Sequence, residues 1–312
     1  MNKMIKDMQD GDRLDVKLMI FQVNKGVTSK GSPYLSMQLQ DKSGMMDAKY
    51  WNVKESEISK YQAGMICRFR ADVLSHNKQL QIRIAAMEEI DRSQENVEDY
   101  VRSSSIGKAE LEYKIGNIVD SIENDSYKRL VKACLLEDGD AFYTYPAASK
   151  NHHNYVGGLA SHVLSMCELG AFVCKQYPLL NRDLLISGII LHDLGKVVEL
   201  SGPMVVEYTI EGKLLGHISI MQAKLYEIAQ RLHIESEELT LLRHMILSHH
   251  GKLEYGSPVL PLIPEAEILS YIDNMDARMN TLEMVFSNVQ SGNFSPRIFA
   301  LDNRSFYKAK DK

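Results

Sequence analysis

Leu191-His192-Asp193-Leu194-Gly195-Lys196 closes an apolar stretch that begins at Leu184. It reads as the end of an apolar helix. Adjacent imidazole and carboxylate at such a position can meet one metal ion or bridge two. Neutral imidazole is a borderline ligand and carboxylate a hard one, so the pair suits Mn²⁺, Fe²⁺ or Zn²⁺. A His-Asp dipeptide is common by chance, and its company is what distinguishes this one. His162 lies thirty residues before His192, on a helix expected to start near Gly157. His217 follows Asp193 by twenty-four residues, His249-His250 precede Gly251 at a helix end, and Asp273 lies twenty-three after His250.

Histidine usage points the same way. Of ten histidines, only His76 lies before residue 150. The other nine crowd into about a hundred residues, a bias towards metal or acid–base chemistry. His233 and His244 read as structural or exposed. Lys196, one turn beyond His192, either contacts a phosphate or is a helix-end cation complementing the dipole. Asp276, one turn after Asp273, either orients a ligating histidine or is a surface charge. The polar and aromatic run His152-His153-Asn154-Tyr155 is a candidate nucleotide contact or a plain loop.

Around this constellation the pattern is helical. Leu111, Ile115, Ile118, Val119 and Ile122 share one face, and Leu130, Val131, Cys134 and Leu135 another. Further helices are expected near 157–176, 182–191, 219–233, 236–248 and 265–280. Residues 205–215 are rich in β-formers around Glu211-Gly212 and suggest a small hairpin. Residues 293–312 end in Lys and Asp and are expected to be partly loose.

Residues 13–90 have a different texture. Alternating runs at 14–23, 34–39, 45–51, 65–74 and 80–87 read as five strands. Asp41-Lys42-Ser43-Gly44 is a turn between the second and third. A short helix at 55–61 falls between the third and fourth strands. That order is the OB pattern, a small Greek-key barrel that binds single strands by stacking bases on aromatics and tracking phosphates with cations. Candidates are Phe21, Tyr34, Tyr50, Trp51 and Phe69 among Lys17, Lys30, Lys49, Arg68, Arg70, Lys78 and Arg83. Tyr50 and Trp51 are adjacent in a strand and point to opposite faces, so one of them belongs to the core.

The expected architecture is therefore multi-domain α+β: an OB barrel at 1–90, a polar linker at 91–105 and a helical domain at 106–312. The 312 residues carry 36 Lys+Arg and 41 Asp+Glu, a net charge of −5. Residues 1–90 hold 14 of the cations and 11 of the carboxylates, a slightly basic balance compatible with an anionic polymer. The longest apolar stretch is far short of the roughly 20 residues a membrane span needs. The charged first residues contain no apolar signal region. Four cysteines without close spacing read as free thiols, so the expected compartment is the cytoplasm.

The ordered series H…HD…H…HH…D over about 145–280 resembles the HD-domain metal phosphohydrolase superfamily, and Lys196 matches its subset with extra histidines and two metals. The resemblance implies that His162, His192, Asp193 and Asp273 form one site and that His217, His249 and His250 form the other, with Asp193 bridging and Lys196 catalytic beside it. The whole chain resembles the YhaM-type 3′–5′ exoribonuclease family. That resemblance runs through Asp41-Lys42-Ser43-Gly44, Asn151-His152-His153, Gly157-Gly158-Leu159 leading to His162, the His192-Asp193 run, the stretch from Tyr208 to His217, and Ser248-His249-His250-Gly251. The ending from Phe294 to Tyr307 matches as well. It implies a two-metal centre, Mn²⁺ first and Fe²⁺, Co²⁺ or Zn²⁺ as substitutes, that removes nucleoside monophosphates from the 3′ end of single-stranded RNA and also of single-stranded DNA. From the barrel's aromatic and basic residues and the run at 152–155, the expected strand-binding residues are Tyr34, Lys49, Trp51, Arg68, Arg70, Lys78, His152 and His153. Self-association into a homo-oligomer through the helical domain stays open. Two rivals remain: a small-nucleotide phosphohydrolase with a regulatory barrel, and a DNA-binding barrel protein with a structural metal site. The absence of a Gly-Tyr-Pro signature after the His-Asp pair weighs against cyclic dinucleotides.

Overall fold

The computed structural model describes residues 3–29, 31–76, 79–96, 99–101, 103–148, 155–203, 206–287 and 289–310. It divides into two units, Met1–Ser103 and Ser104–Lys312.

Five strands build the first unit: β1 (Arg13–Val27), β2 (Pro33–Asp41), β3 (Gly44–Trp51), β4 (Ile66–His76) and β5 (Gln79–Glu89). They close into a barrel in the order β1-β2-β3-β5-β4, the order expected of an OB barrel. Among the described residues only β3 and β5 pair parallel; the other pairs are antiparallel. The short α1 (Glu55–Ile58) falls between β3 and β4. Alternation decides what fills the barrel. Leu14, Val16, Leu18 and Ile20 point inward from β1, Leu35, Met37 and Leu39 from β2, and Phe69, Ala71 and Val73 from β4. Asp41 pins the first hairpin: its Oδ1 accepts from the backbone of Ser43 and Gly44, and its Oδ2 from Ile5 N–H. The polar segment after β5 is held to the barrel as far as Val101. Glu95 accepts from Lys17 Nζ and Tyr100 Oη, Lys42 pairs with Asp99, and the side chains of Tyr100 and Val101 are buried.

The second unit is helical. Its elements are α2 (Lys108–Asp120), α3 (Asp125–Asp138), α4 (Asp140–Thr144), α5 (Gly158–Gln176), α6 (Arg182–Leu191), α7 (Lys196–Glu199), α8 (Ile210–Arg231), α9 (Glu237–Ser248) and α10 (Pro264–Phe286). α6 is its axis. Asn181 caps it by accepting from Leu184 N–H, and every residue from Leu184 to Leu191 is buried. A helix that is apolar all round is buried all round, and α3, α5, α9 and α10 surround this one. Each fully buried Leu or Ile contributes about 1.5–3 kcal/mol.

Two expectations fail here. Residue 205 lies outside the described residues, and residues 206–215 do not form a hairpin: Leu200 and Tyr208 make a single bridge, and α8 begins at Ile210. Thr209 Oγ1 accepts from Gly212 N–H, a helix cap that outweighs the β-preference of the residues around it. The α8 backbone breaks at Gly216, whose φ of 71° suits glycine. The end of the chain is not loose over its described part. Residues 289–310 form a strap in which Phe294 bridges to Tyr307 and Ile298 to Arg304, while Ile298 and Leu301 are buried.

A close approach locks α7 against α8. A Cβ on Gly195 would stand 2.2 Å from the carbonyl oxygen of His217. Gly195→Ala is therefore expected to push the His217 backbone away and destabilise the protein by about 1–3 kcal/mol, as overpacking does. A thermal melt showing no loss would contradict this packing. In the barrel, Phe69 is fully buried. Phe69→Ala is expected to cost about 3–5 kcal/mol of barrel stability in chemical denaturation.

Candidate metal centre and strand-binding face

Five helices, two of them through the turns that follow, bring the expected ligands together. α5 carries His162, and the turn after α6 carries His192 and Asp193. α8 carries His217 just past its Gly216 break, the end of α9 carries His249 and His250, and α10 carries Asp273. Asp193 lies at the centre. Its Oδ2 is 3.4 Å from His192 Nε2 and 3.9 Å from His162 Nε2. Its Oδ1 is 3.5 Å from His217 Nε2 and 3.8 Å from His249 Nε2. Asp273 Oδ1 stands 3.3 Å from His162 Nε2. The groups fall into two sets, His162–His192–Asp193 and His217–His249–His250, each with its donor atoms within 4.8 Å of one another.

The imidazoles are held by their other nitrogens. Nδ1 of His192 donates to Ile189 O at 2.7 Å, Nδ1 of His249 to Ile246 O at 2.8 Å, and Nδ1 of His250 to Tyr255 O at 2.7 Å. His217 Nδ1 donates to Glu199 Oε1 at 3.1 Å, and His162 Nδ1 to Asp276 Oδ2 at 2.6 Å. A carbonyl or carboxylate oxygen can only accept, so each partner places a proton on Nδ1, and at His192, His217 and His249 this leaves the Nε2 lone pair bare. The Nε2 atoms of His192, His217 and His249, and Asp193 Oδ1, are buried and make no hydrogen bond. Buried polar atoms are ordinarily satisfied. Several left bare and aimed at one place fit a cation.

Electrostatics agree. Burial alone would raise Asp193, but Lys196, His192 and His217 outweigh it and hold the carboxyl well below the usual carboxylate range. Burial, with His192 and His250 alongside, presses His249 well below an ordinary imidazole. Burial opposes charge on His162, yet Asp273 and Asp276 raise it to about 9. Burial would likewise discharge Lys196, but Asp193 keeps it cationic; its Nζ lies 2.6 Å from Asp193 Oδ2. Lys196 is thus not an exposed helix-end charge. It lines a cleft of about 490 Å³ together with Asp193, His250, Tyr255, Ser270, Asp273, Asn274 and Ala277. Ligand pockets commonly fall in the range of roughly 300–1,000 Å³.

Asp276 holds the ring of His162, one of the expected ligands, and also accepts from Ser165 Oγ. The sequence reading missed Glu199, which holds both the ring and the backbone N–H of His217. No local pattern announced it, because it lies eighteen residues before its partner. The expected bystanders are confirmed: His244 Nε2 accepts from Leu262 N–H, and His233 is exposed.

On the barrel, the structure gathers part of the proposed strand-binding set. Tyr34 pairs with Trp51 and Ser36 with Lys49 across β2 and β3, all on the outward face. The Tyr34 and Trp51 rings lie 4.8 Å apart, and Lys49 Nζ sits 5.3 Å from the Tyr34 ring centre. A Cβ on Gly26 would fall 2.4 Å from the Tyr34 ring, so only glycine lets that ring lie on β1. Trp51 is exposed and Tyr50 half-buried against the core, as their opposite faces require. Phe69 is wholly core and is removed from the stacking candidates. Arg68 and Arg70 lie apart from this group, on β4 against β1, and Arg68 is engaged by Asp15 at 2.6 Å. Lys78, His152 and His153 fall outside the described residues.

Residues 159–278 match the family model of the HD domain. Among solved structures, the chain is similar to the second OB-fold domain of replication protein A from Methanococcus maripaludis (19% identity, 30% of this chain and 100% of that chain, TM-score 0.24). It is also similar to the protein PriB from Ralstonia solanacearum (15% identity, 26% of this chain and 98% of that chain, TM-score 0.23). At these scores the barrel's identity rests on its own strand order. The chain joins a five-strand OB-type barrel to a helical HD domain.

Proposed function

We propose that this protein is a metal-dependent 3′–5′ exonuclease that hydrolyses single-stranded RNA, with single-stranded DNA as a second substrate, to nucleoside monophosphates. The observation that carries the hydrolytic part is the convergence of bare imidazole Nε2 atoms on the buried Asp193 carboxylate, every ring held by an acceptor on Nδ1. The polymer and its direction come from the resemblance to the YhaM-type family. The exposed aromatic and basic face of the barrel supports a single strand as ligand.

The donor set fits a pair of borderline divalent ions. His162, His192, Asp193 and Asp273 would hold one, and His217, His249 and His250 the other, with Asp193 shared. Nitrogen and carboxylate donors together accept Mn²⁺, Fe²⁺, Co²⁺ or Zn²⁺, and availability selects among them. Bound there, such ions supply positive charge for a phosphoryl group and make water a stronger acid. The chain's own residues do the rest. Lys196 presents a fixed cation to the cleft in which a scissile phosphate would sit. Glu199 fixes the tautomer of His217, and Asp276 holds the His162 ring through Nδ1. Asp193 is buried beside the apolar α6, and burial lowers the local dielectric, so that each of these charges acts more strongly.

With 5′-labelled single-stranded RNA, the purified protein is expected to produce a ladder shortening from the 3′ end with Mn²⁺ and nothing with EDTA. Asp193→Ala should abolish shortening while strand binding persists. Full activity in that variant would refute the centre. Release of phosphate from mononucleotides with oligomers untouched would favour the small-nucleotide enzyme. Binding without any turnover would leave a barrel protein with a structural metal site.

The barrel face generates its own expectation. Base–aromatic stacking is worth about 1–3 kcal/mol per base. Trp51→Ala is therefore expected to weaken binding of a single-stranded oligomer about tenfold, as read by fluorescence anisotropy in EDTA. An unchanged Kd would remove this face from the binding surface.

A further inference from the structure

The helical unit has an acidic balance: residues 104–312 carry 20 Lys+Arg against 26 Asp+Glu. Such a surface repels a polyanion. One segment reverses the sign. Residues 293–310, within the strap, hold Arg297, Arg304, Lys308 and Lys310 against a single carboxylate, Asp302. The same segment exposes Phe294, Phe299 and Tyr307, with Phe299 87% exposed.

These aromatics sit on a fixed frame. Lys308 Nζ donates to the carbonyls of Phe286 and Val289, each at 2.8 Å. The Phe294 and Tyr307 rings lie 5.1 Å apart, and the Arg304 guanidinium lies 5.1 Å from the Phe306 ring centre. The strap also leads to the metal cleft. Asp302 pairs with Arg278 at 3.6 Å, Arg278 Nε donates to Asn274 Oδ1 at 2.8 Å, and Asn274 lines the cleft.

We propose that the strap at residues 289–310 is a second binding site for single-stranded nucleic acid, distinct from the barrel and leading to the cleft. This rests on the exonuclease reading above. Bases stack on the exposed rings, and phosphates meet Arg297 and Lys310. Charge complementarity selects this occupant: a basic aromatic ribbon on an otherwise acidic unit matches a single strand, whose every base offers a π-face and every linkage a negative charge.

The test is fluorescence anisotropy of a 5′-fluorescein-labelled 20-nucleotide RNA on the full chain in EDTA, across a salt series. The double variant Arg297→Glu/Phe299→Ala is expected to raise Kd about tenfold and to make the slope of log K against log salt shallower by about one. Phe172→Ala, which removes an exposed aromatic on α5, is expected to bind as the wild type does. Melting temperatures of the variants control for folding. A double variant with wild-type Kd and salt slope overturns the proposal. So does an unchanged Kd with an altered sedimentation coefficient, which would make the strap a contact between copies of the chain. Shortening of RNA with Mn²⁺ is scored separately on the wild type. A strap that binds RNA in a protein that never shortens it refutes the exonuclease reading and not the strap.

Discussion

One buried carboxylate organises the helical unit. Asp193 is only 3% exposed, inside a core of leucine and isoleucine. An ionised carboxylate there is tolerable only when neighbours supply positive charge or donors. Lys196 supplies one charge at 2.6 Å, and four histidine Nε2 atoms stand within 3.4–3.9 Å. Those of His192, His217 and His249 are buried and make no hydrogen bond. The arrangement makes chemical sense as a cation site that the fold assembles in advance. α6 makes this possible, because a helix apolar on every side carries the residues that follow it into the interior.

The second nitrogens explain why the site is rigid. Of the five candidate ligand rings, three donate to backbone carbonyls, and two donate to carboxylates that are themselves buried. Rings fixed in this way need not rotate or change tautomer when a metal arrives, so little ordering remains to be done on binding. Glu199 links two elements in one contact: it ends α7, which begins at Lys196, and it holds His217 on α8. The Gly195 approach and the Glu199 bonds thus fix the same histidine from two sides. The barrel shows a parallel economy. Gly26 leaves room for one aromatic ring, Tyr34, and that ring lies beside Trp51 and Lys49 on the face that the β2–β3 pairing leaves outward.

Much of this was legible in the chain. Five alternating runs with a turn at Asp41–Gly44 foretold the barrel, and the helical periods around Leu111, Leu130 and Leu184 foretold the bundle. The ligand types and their order, from His162 to Asp273, announced a metal centre. Other features were not legible. The β-formers at 205–215 suggested a hairpin, but a single hydroxyl, that of Thr209, capped a helix instead. Phe69 and Trp51 are both aromatics in strands, yet one is core and the other exposed. Alternation separates two faces without saying which one the barrel encloses.

By itself the sequence determined the local conformations and the chemistry available: apolar α6, strand alternation, and imidazoles and carboxylates in a set order. Torsional preference and face polarity act over a few residues, so they can be read there. The tertiary structure alone decided that His162 and Asp273, 111 positions apart, stand 3.3 Å from each other. It alone put Glu199 on His217 and tied the strap, through Arg278, to Asn274 of the cleft. Those outcomes depend on how whole helices pack. Packing is settled by the sum of many side-chain contacts across the core, which no short window of the chain contains.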